Sequence, residues 1–201
     1  MLGSAAGLTT IGAFAIELGR VWRRGSAPLP AETDHVVEAA VEAGVETTAV
    51  AVAGYQAAPP HENALFNLFA SFVISLVCSR AIAFALRDRR RVGPFRNVRV
   101  GRRHIHHFVP GIVLAFLAGA IAIVTHDETL EPRLALLFGA GMGMTMDEAA
   151  LLLQLEDVYW TEEGLLGVQI GAGLVGLLGA LAIGLRFLRR GEERVLPPAD
   201  V

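Results

Sequence analysis

The sequence predicts an all-α fold, a polytopic membrane helix bundle with about four transmembrane segments plus an N-terminal apolar helix. Three observations lead to this prediction. Hydrophobic residues make up 53% of the 201 residues, and the mean hydropathy is +0.50. Several apolar stretches reach the roughly 20 residues that cross the hydrocarbon of a bilayer. Basic and acidic residues occupy separate parts of the chain, and every basic residue is arginine.

The first 63 residues divide into two predicted segments. Residues 1–24 are apolar and end in Arg23 and Arg24, whereas a cleavable signal carries its positive charge before the apolar core; they predict an uncleaved anchor or an interfacial helix. Residues 25–63 contain six acids and no arginine, which predicts an acidic linker. Within it, residues 36–55 alternate Ala/Val clusters with Glu and predict an amphipathic helix on the membrane or on the bundle.

Residues 64–188 form the predicted transmembrane bundle. Its four segments are residues 64–86, 108–124, 134–155 and 164–188, followed by a polar C-terminal tail over residues 189–201. The predicted environment is the lipid bilayer, and no feature indicates a nucleic-acid partner.

Small and polar residues recur at helical spacing in three of these segments. Small residues let helix backbones approach closely, and Ser or Asn side chains bond across helices. The second segment's small face is predicted to contact the first, while the Ser/Asn and Gly-rich faces of the first and last predict close packing within the chain, with a second copy or with a membrane partner. The residues are Asn67, Ser71 and Ser75; Gly111, Ala115 and Gly119; and Gly167, Gly171, Gly173, Gly176 and Gly179.

Charge placement predicts an orientation and exposes a conflict. Residues 87–103 carry eight arginines and one acid, so the positive-inside rule places them in the cytoplasm and the acidic turn 125–132 outside. Simple alternation then places the arginines near the C-terminus outside, against the same rule. We predict four ordinary segments. The alternative is a third segment broken near residues 141–145 that enters and leaves on the external face, shielded by protein or lining a cavity.

Ionisable residues inside the predicted bundle are the candidate functional residues. At about 1.5 Å of rise per residue, Glu148 lies about 10 Å and Arg80 about 9 Å inside the cytoplasmic edge, with Asp147 beside Glu148. His104, His106 and His107 lie at the edge itself. An unpaired carboxylate in hydrocarbon costs several kcal/mol or is protonated, so these groups are expected to have partners.

Two interpretations of this cluster remain open. In the first, the three histidines and one carboxylate bind zinc, iron or manganese, and the second carboxylate acts as a general base or supports a ligand; the protein then performs hydrolytic or transport chemistry. In the second, Arg80 forms a buried ion pair with Asp147 or Glu148, the histidines cap it, and the protein is a structural or assembly subunit. Haem is disfavoured because two axial histidines normally come from different helices.

Several other functions lack their sequence signals. The chain has no nucleotide-binding glycine loop, no serine nucleophile elbow and no His-Glu-x-x-His zinc-protease motif. Its single cysteine, Cys78, excludes an intrachain disulfide and lies in an apolar run, where we expect it to be buried.

Two strings carry a resemblance to a family. Gly101-Arg-Arg-His-Ile-His-His-Phe-Val-Pro-Gly111 and Gly141-Met-Gly-Met-Thr-Met-Asp-Glu148 resemble bacterial, particularly actinobacterial, integral membrane proteins that pair a double-histidine segment with an acidic glycine-rich helix. The resemblance covers residues 64–188. The family has no established activity, so the resemblance implies a multi-pass protein of the bacterial cytoplasmic membrane and the pairing of the two motifs, and it implies no reaction.

Overall fold

A computed structural model of the chain describes residues 2–86, 91–92, 95–96, 99–100, 103–104, 108–148 and 162–196. Within these residues the fold is all-α. The helices are α1 (Leu2–Arg24), α2 (Val36–Gln56), α3 (Pro60–Leu86), α4 (Phe108–Thr125), α5 (Glu131–Asp147) and α6 (Glu162–Val195). Between α3 and α4, the two-residue strands β1 (Arg91–Val92) and β2 (Phe95–Arg96) pair antiparallel, as do β3 (Arg99–Val100) and β4 (Arg103–His104).

The chain divides into two compact units. The terminal unit comprises Met1–Asn63 and Leu181–Val201, and the central unit comprises Ala64–Ala180. Helix α6 contributes to both units, because its residues from Leu181 onward belong with the N-terminal helices.

Two helices in the described part of the chain are long and apolar enough to cross a membrane. They are Pro60–Ala85 within α3 and Val168–Val195 within α6. In the most apolar stretch of α3, 0% of the residues are buried inside the protein, and in that of α6 the share is 11%. The apolar part of α4, Val109–Thr125, is shorter. The outward-facing apolar surface distinguishes α3 and α6 from the core helices of a water-soluble protein, which bury their apolar residues.

In the central unit, α5 lies between α3 and α4, and its alternate glycines face opposite neighbours. Gly139 and Gly143 face α3; a Cβ added to Gly143 would lie 2.5 Å from the carbonyl oxygen of Phe72. Gly141 faces α4, where an added Cβ would lie 2.6 Å from the carbonyl oxygen of Gly111. Glycine is required at these positions because backbone approaches backbone on both sides of α5.

The Ser/Asn stripe of α3 contacts α5 within the same chain. The Asn67 side-chain amide donates to the carbonyl oxygen of Pro132 at 2.9 Å, and the Ser75 hydroxyl donates to that of Ala140 at 2.7 Å. Residue numbers increase in the same direction along both helices, so α3 and α5 run parallel. These polar groups therefore bond inside the chain.

The small-residue face of α4 contacts α5, so the expectation that it contacts α3 is wrong. Gly111 lies against Gly141, and Gly119 lies against the ring of Phe138, 3.4 Å from an added Cβ. Only a short turn joins α4 to α5, so the two helices pack side by side and antiparallel.

The turn between α4 and α5 is exposed and tightly hydrogen-bonded. His126 ends α4 in the left-handed region, with φ 47°, as residues that close a helix commonly do. One Asp127 carboxylate oxygen accepts from the backbone N–H and the hydroxyl of Thr129, both at 2.7 Å. The hydrogen bond from the Thr129 hydroxyl has the largest effect on the Asp127 carboxylate, and the one from the Thr129 backbone N–H comes next. Together they hold the pKa of Asp127 below its ordinary value.

Helix α5 is continuous through residues 141–145, so the alternative of a break there is not what the structure shows. Its glycines are sites of close packing. The helix ends at Asp147, before the expected end at residue 155, and Glu148 leaves helical geometry with φ −107° and ψ 18°. Residues 149–155 of the predicted third segment lie outside the described residues.

Helices α3 and α6 run antiparallel in the central unit. Residue numbers fall along α6 as they rise along α3, and glycines of α6 receive the aromatic and aliphatic side chains of α3. The contacts are Phe69 with Gly179, Val73 with Gly176, and Leu76 with Gly173. Cys78 is exposed, so the expectation that it is buried is wrong; within the described part of the chain, no helix covers it.

In the terminal unit, α2 packs through one face. The helix predicted over residues 36–55 forms over Val36–Gln56, with buried residues Ala39, Ala43, Thr47, Val50 and Gly54. Gly54 faces the backbone of Phe187, and Gly191 faces the backbone of Val50, so α2 and α6 approach closely. The Tyr55 and Phe187 rings meet edge to face, 5.4 Å between centroids. The helix predicted within the acidic residues 25–63 is therefore present, and it packs against α6.

The predicted polar tail over residues 189–201 is wrong as far as Val195, because α6 continues to that residue. Glu192 is 3% exposed, and Leu196, just beyond the helix, is 8% exposed. Leu188 and Leu196 join Val21 and Val50 in one apolar cluster. Burial of that cluster, with ion pairs for the charged residues, keeps the segment folded.

The glycine contacts of α5 lead to a test of the central packing. Gly143→Ala should destabilise the protein by about 1–3 kcal/mol, because its Cβ collides with the backbone of α3. Gly171→Ala should be neutral or stabilise by up to about 1 kcal/mol, because nothing lies within 4 Å of an added Cβ and alanine favours a helix. Thermal unfolding in detergent compares the two. Equal effects would contradict the close approach of α5 to α3.

Candidate functional site

A buried ion pair joins α3 to the end of α5. The Arg80 Nε lies 2.7 Å from the Asp147 Oδ1, and 2% of the Asp147 side chain is exposed. The Arg80 side chain is 56% exposed, so its stem and part of its head line the surface. The pair therefore consists of an enclosed carboxylate and a guanidinium that reaches it from outside.

Arg80 and Gln169 also cap the C-terminus of α5. The last carbonyl groups of a helix lack partners inside the helix. Gln169 Nε2 donates to the carbonyl oxygens of Met146 and Asp147, at 3.0 and 2.9 Å. Arg80 Nη2 donates to the Asp147 carbonyl oxygen at 3.2 Å and to Gln169 Oε1 at 2.6 Å. One connected network thus satisfies the helix end from both flanking helices, and we call it the α5 cap (Arg80, Asp147 and Gln169).

The structure brings together some of the predicted site residues. Arg80 and Asp147 are in contact, and Glu148 lies next in the chain, in the turn that follows α5. His104 forms a backbone pair with Arg99 in the second hairpin. His106 and His107 lie outside the described residues, and so does their predicted approach to the carboxylates. Among the residues that the structure describes, no three His, Cys, Asp or Glu side chains form a group that could hold a metal ion.

Gln169 is the member of the α5 cap that the sequence analysis missed. Its signal was available: it is an amide between Val168 and Ile170 in an otherwise apolar run. A polar side chain in such a run usually bonds to a neighbouring helix. Gln169 is 9% exposed, which agrees with that role.

A second polar network, also missed, lies in the terminal unit. Arg20 Nη2 is 2.6 Å from both Glu17 Oε2 and Glu192 Oε1. Arg24 Nη1 is 2.9 Å from the other oxygen of Glu192, and Arg189 lies 3.5 Å from Glu17. The sequence signal was the three-residue spacing of Glu17 and Arg20, which places both on one face of a helix.

This second network neutralises the charged residues at the end of α6. Arg190 Nη1 lies 2.9 Å from Glu62 Oε2 at the start of α3. Glu17 and Glu192 are 6% and 3% exposed, so their carboxylates depend on arginine partners. Arg189 and Arg190 near the C-terminus are thus paired with acids, and the network's chemistry is that of helix packing.

No protein-family model, curated protein or solved structure matches this chain.

A pair of double-mutant cycles tests the α5 cap. Arg80→Ala should destabilise by about 3 kcal/mol, because it leaves the enclosed Asp147 carboxylate without its cation. Arg80→Met combined with Asp147→Leu should recover much of that loss, and the Arg80/Asp147 cycle should show a coupling of about 0.5–3 kcal/mol. Thermal unfolding in detergent provides the measurement.

The matched control is the cycle of Arg80→Met with Glu148→Leu. Because Arg80 Nε lies 2.7 Å from the Asp147 carboxylate, this second cycle should show a smaller coupling than the first. Additivity in the Asp147 cycle would contradict the ion pair.

Proposed function

We propose that the chain is an integral, multi-pass protein of a bacterial cytoplasmic membrane, in which α3, α4, α5 and α6 lie in the bilayer. The exposed apolar surface supports this proposal. Phe84 is 75% exposed, Phe116 76%, Ile123 72% and Ile74 62%. Such a concentration of large apolar side chains on the outside is unfavourable in water and suits contact with lipid.

Within that membrane the protein acts as a structural subunit, and the α5 cap holds its helices in place. The observation that carries this proposal is that the polar contacts of Arg80 and Gln169 go to the end of α5 or to each other. In lipid no water is present to bond the free carbonyl groups of a helix end, so these two side chains take that role. The Asp147 carboxylate belongs to the same cap, since its Oδ1 lies 2.7 Å from Arg80 Nε.

Metal analysis separates this proposal from a metal-dependent activity at His104, His106, His107, Asp147 and Glu148. We expect zinc, iron and manganese far below one equivalent in the purified protein, unchanged in the variant with His106→Ala and His107→Ala. His126→Ala, which removes a histidine from the exposed α4–α5 turn, is the control. One equivalent of metal that only the double variant loses would overturn the structural role and establish the metal site.

Cysteine labelling tests the membrane topology. Because α3 and α6 are antiparallel in the central unit, two spanning helices bring Thr129 and Val195 to one side and residue 98 to the other. In a Cys78→Ser background, an impermeant reagent added outside the cell should modify cysteines placed at Thr129 and Val195, and spare one at Val98.

Each other labelling pattern has a definite meaning. Modification of the Val98 probe alone would reverse the proposed orientation and remove the cytoplasmic placement of residues 87–103. Labelling of the Thr129 and Val195 probes from opposite sides would contradict the passage of both α3 and α6 through the membrane.

A further inference from the structure

An apolar groove lies between α3 and α6 in the central unit. Its volume is about 590 Å³, which falls in the range of about 300–1,000 Å³ for sites that bind small molecules. The lining residues are Leu76, Val77, Arg80, Ala81, Phe84, Gln169, Ile170 and Gly173. Arg80 is the one charged side chain among them, so the groove combines apolar walls with a single cation.

Some of the N–H donors of Arg80 in this groove are not used in the α5 cap. A guanidinium group carries five N–H donors. The Nε faces the Asp147 carboxylate, and Nη2 donates to Gln169 and to the Asp147 carbonyl oxygen. Within the described part of the chain, Nη1 has no acceptor. In a bilayer such N–H groups require one, because leaving them without an acceptor in hydrocarbon costs several kcal/mol.

We propose that this groove binds a phospholipid, with one acyl chain against the apolar walls and the phosphate accepting hydrogen bonds from Arg80 Nη1. The two N–H groups of Nη1 suit phosphate oxygens, and arginine binds phosphate in this forked manner. Asp147 occupies the Nε side of the guanidinium, so a phosphate on Nη1 leaves the ion pair intact. This inference rests on the proposed membrane location.

The length of the groove agrees with a lipid in one leaflet. Leu76 and Phe84 are eight residues apart on α3, which corresponds to about 12 Å along the helix. This is less than half of the roughly 30 Å of hydrocarbon. Arg80 lies midway between these two residues, so the groove accommodates the first roughly 6 Å of one acyl chain on the Leu76 side of a headgroup held at Arg80.

A groove-filling variant and a matched control test the site. A Cβ added to Gly173 meets only the Leu76 Cδ2, at 3.4 Å, whereas one added to Gly171 meets nothing within 4 Å. Gly173→Leu should therefore fill the groove, and Gly171→Leu should place the same side chain elsewhere on α6. Native mass spectrometry of the full chain in detergent, with phosphatidylglycerol added, measures the lipid bound.

We expect one tightly bound phosphatidylglycerol per chain in the wild type and in Gly171→Leu, and about tenfold weaker binding or less in Gly173→Leu. Arg80→Lys keeps a cation for Asp147 but lacks Nη1, and it should also weaken binding about tenfold, as expected for the loss of hydrogen bonds to a charged group. Unchanged binding by a folded Gly173→Leu would overturn the proposal. Equal losses in both glycine variants would also overturn it, by showing a nonspecific lipid shell.

Two further measurements identify the headgroup contact and isolate the membrane premise. Diacylglycerol with the same acyl chains should bind about tenfold more weakly than phosphatidylglycerol, and inorganic phosphate alone should not compete. Equal binding of diacylglycerol, or competition by inorganic phosphate, would overturn the phosphate-anchored lipid site. Flotation with phosphatidylglycerol vesicles reports membrane association separately. A wild type that floats but binds no lipid in the groove contradicts this inference alone, and a wild type that does not float contradicts the membrane location.

Discussion

The termination of α5 at Asp147 is the constraint on which the central unit depends. A helix that ends among apolar helices presents carbonyl groups that nothing in the helix can satisfy. The chain supplies Arg80 from α3 and Gln169 from α6, and the three helices must align for both side chains to reach the same carbonyl group. The parallel register of α3 with α5 and the antiparallel register of α3 with α6 both bring these groups together.

Glycine spacing makes that alignment possible. Gly139 and Gly143 let α5 approach α3, and Gly141 lets it approach α4. Close backbone approach is favourable in lipid, where no hydrophobic force drives helices together and packing contacts take its place. The α5 cap then supplies specificity, because its hydrogen bonds fit one rotation and one depth of each helix.

Depth arithmetic on the sequence found Arg80 and Asp147, because charged groups at similar depth must be paired in a low-dielectric setting. It could not choose between Asp147 and Glu148, since adjacent residues differ only in the direction of their side chains. Gln169 was missed because it carries no charge, so its depth was not compared with theirs. The partner of the α4 glycine face was wrong because spacing shows that a face is small and does not show which helix it meets.

The end of α6 shows how charge can conceal structure. Residues 186–194 contain four arginines and two glutamates, and one of these acids, Glu192, is enclosed between Arg20 and Arg24 of α1. The local sequence around Glu192 is typical of a solvated tail, because its partners Arg20 and Arg24 lie about 170 residues away in the chain. Its ion pairs with arginine offset part of the cost of burying the Glu192 carboxylate. The helix extends to Val195, and Leu188 and Leu196 make apolar contacts in the same unit. Arg189 and Arg190 are paired with acids in the folded chain, whereas residues 87–103 contain one acid among eight arginines.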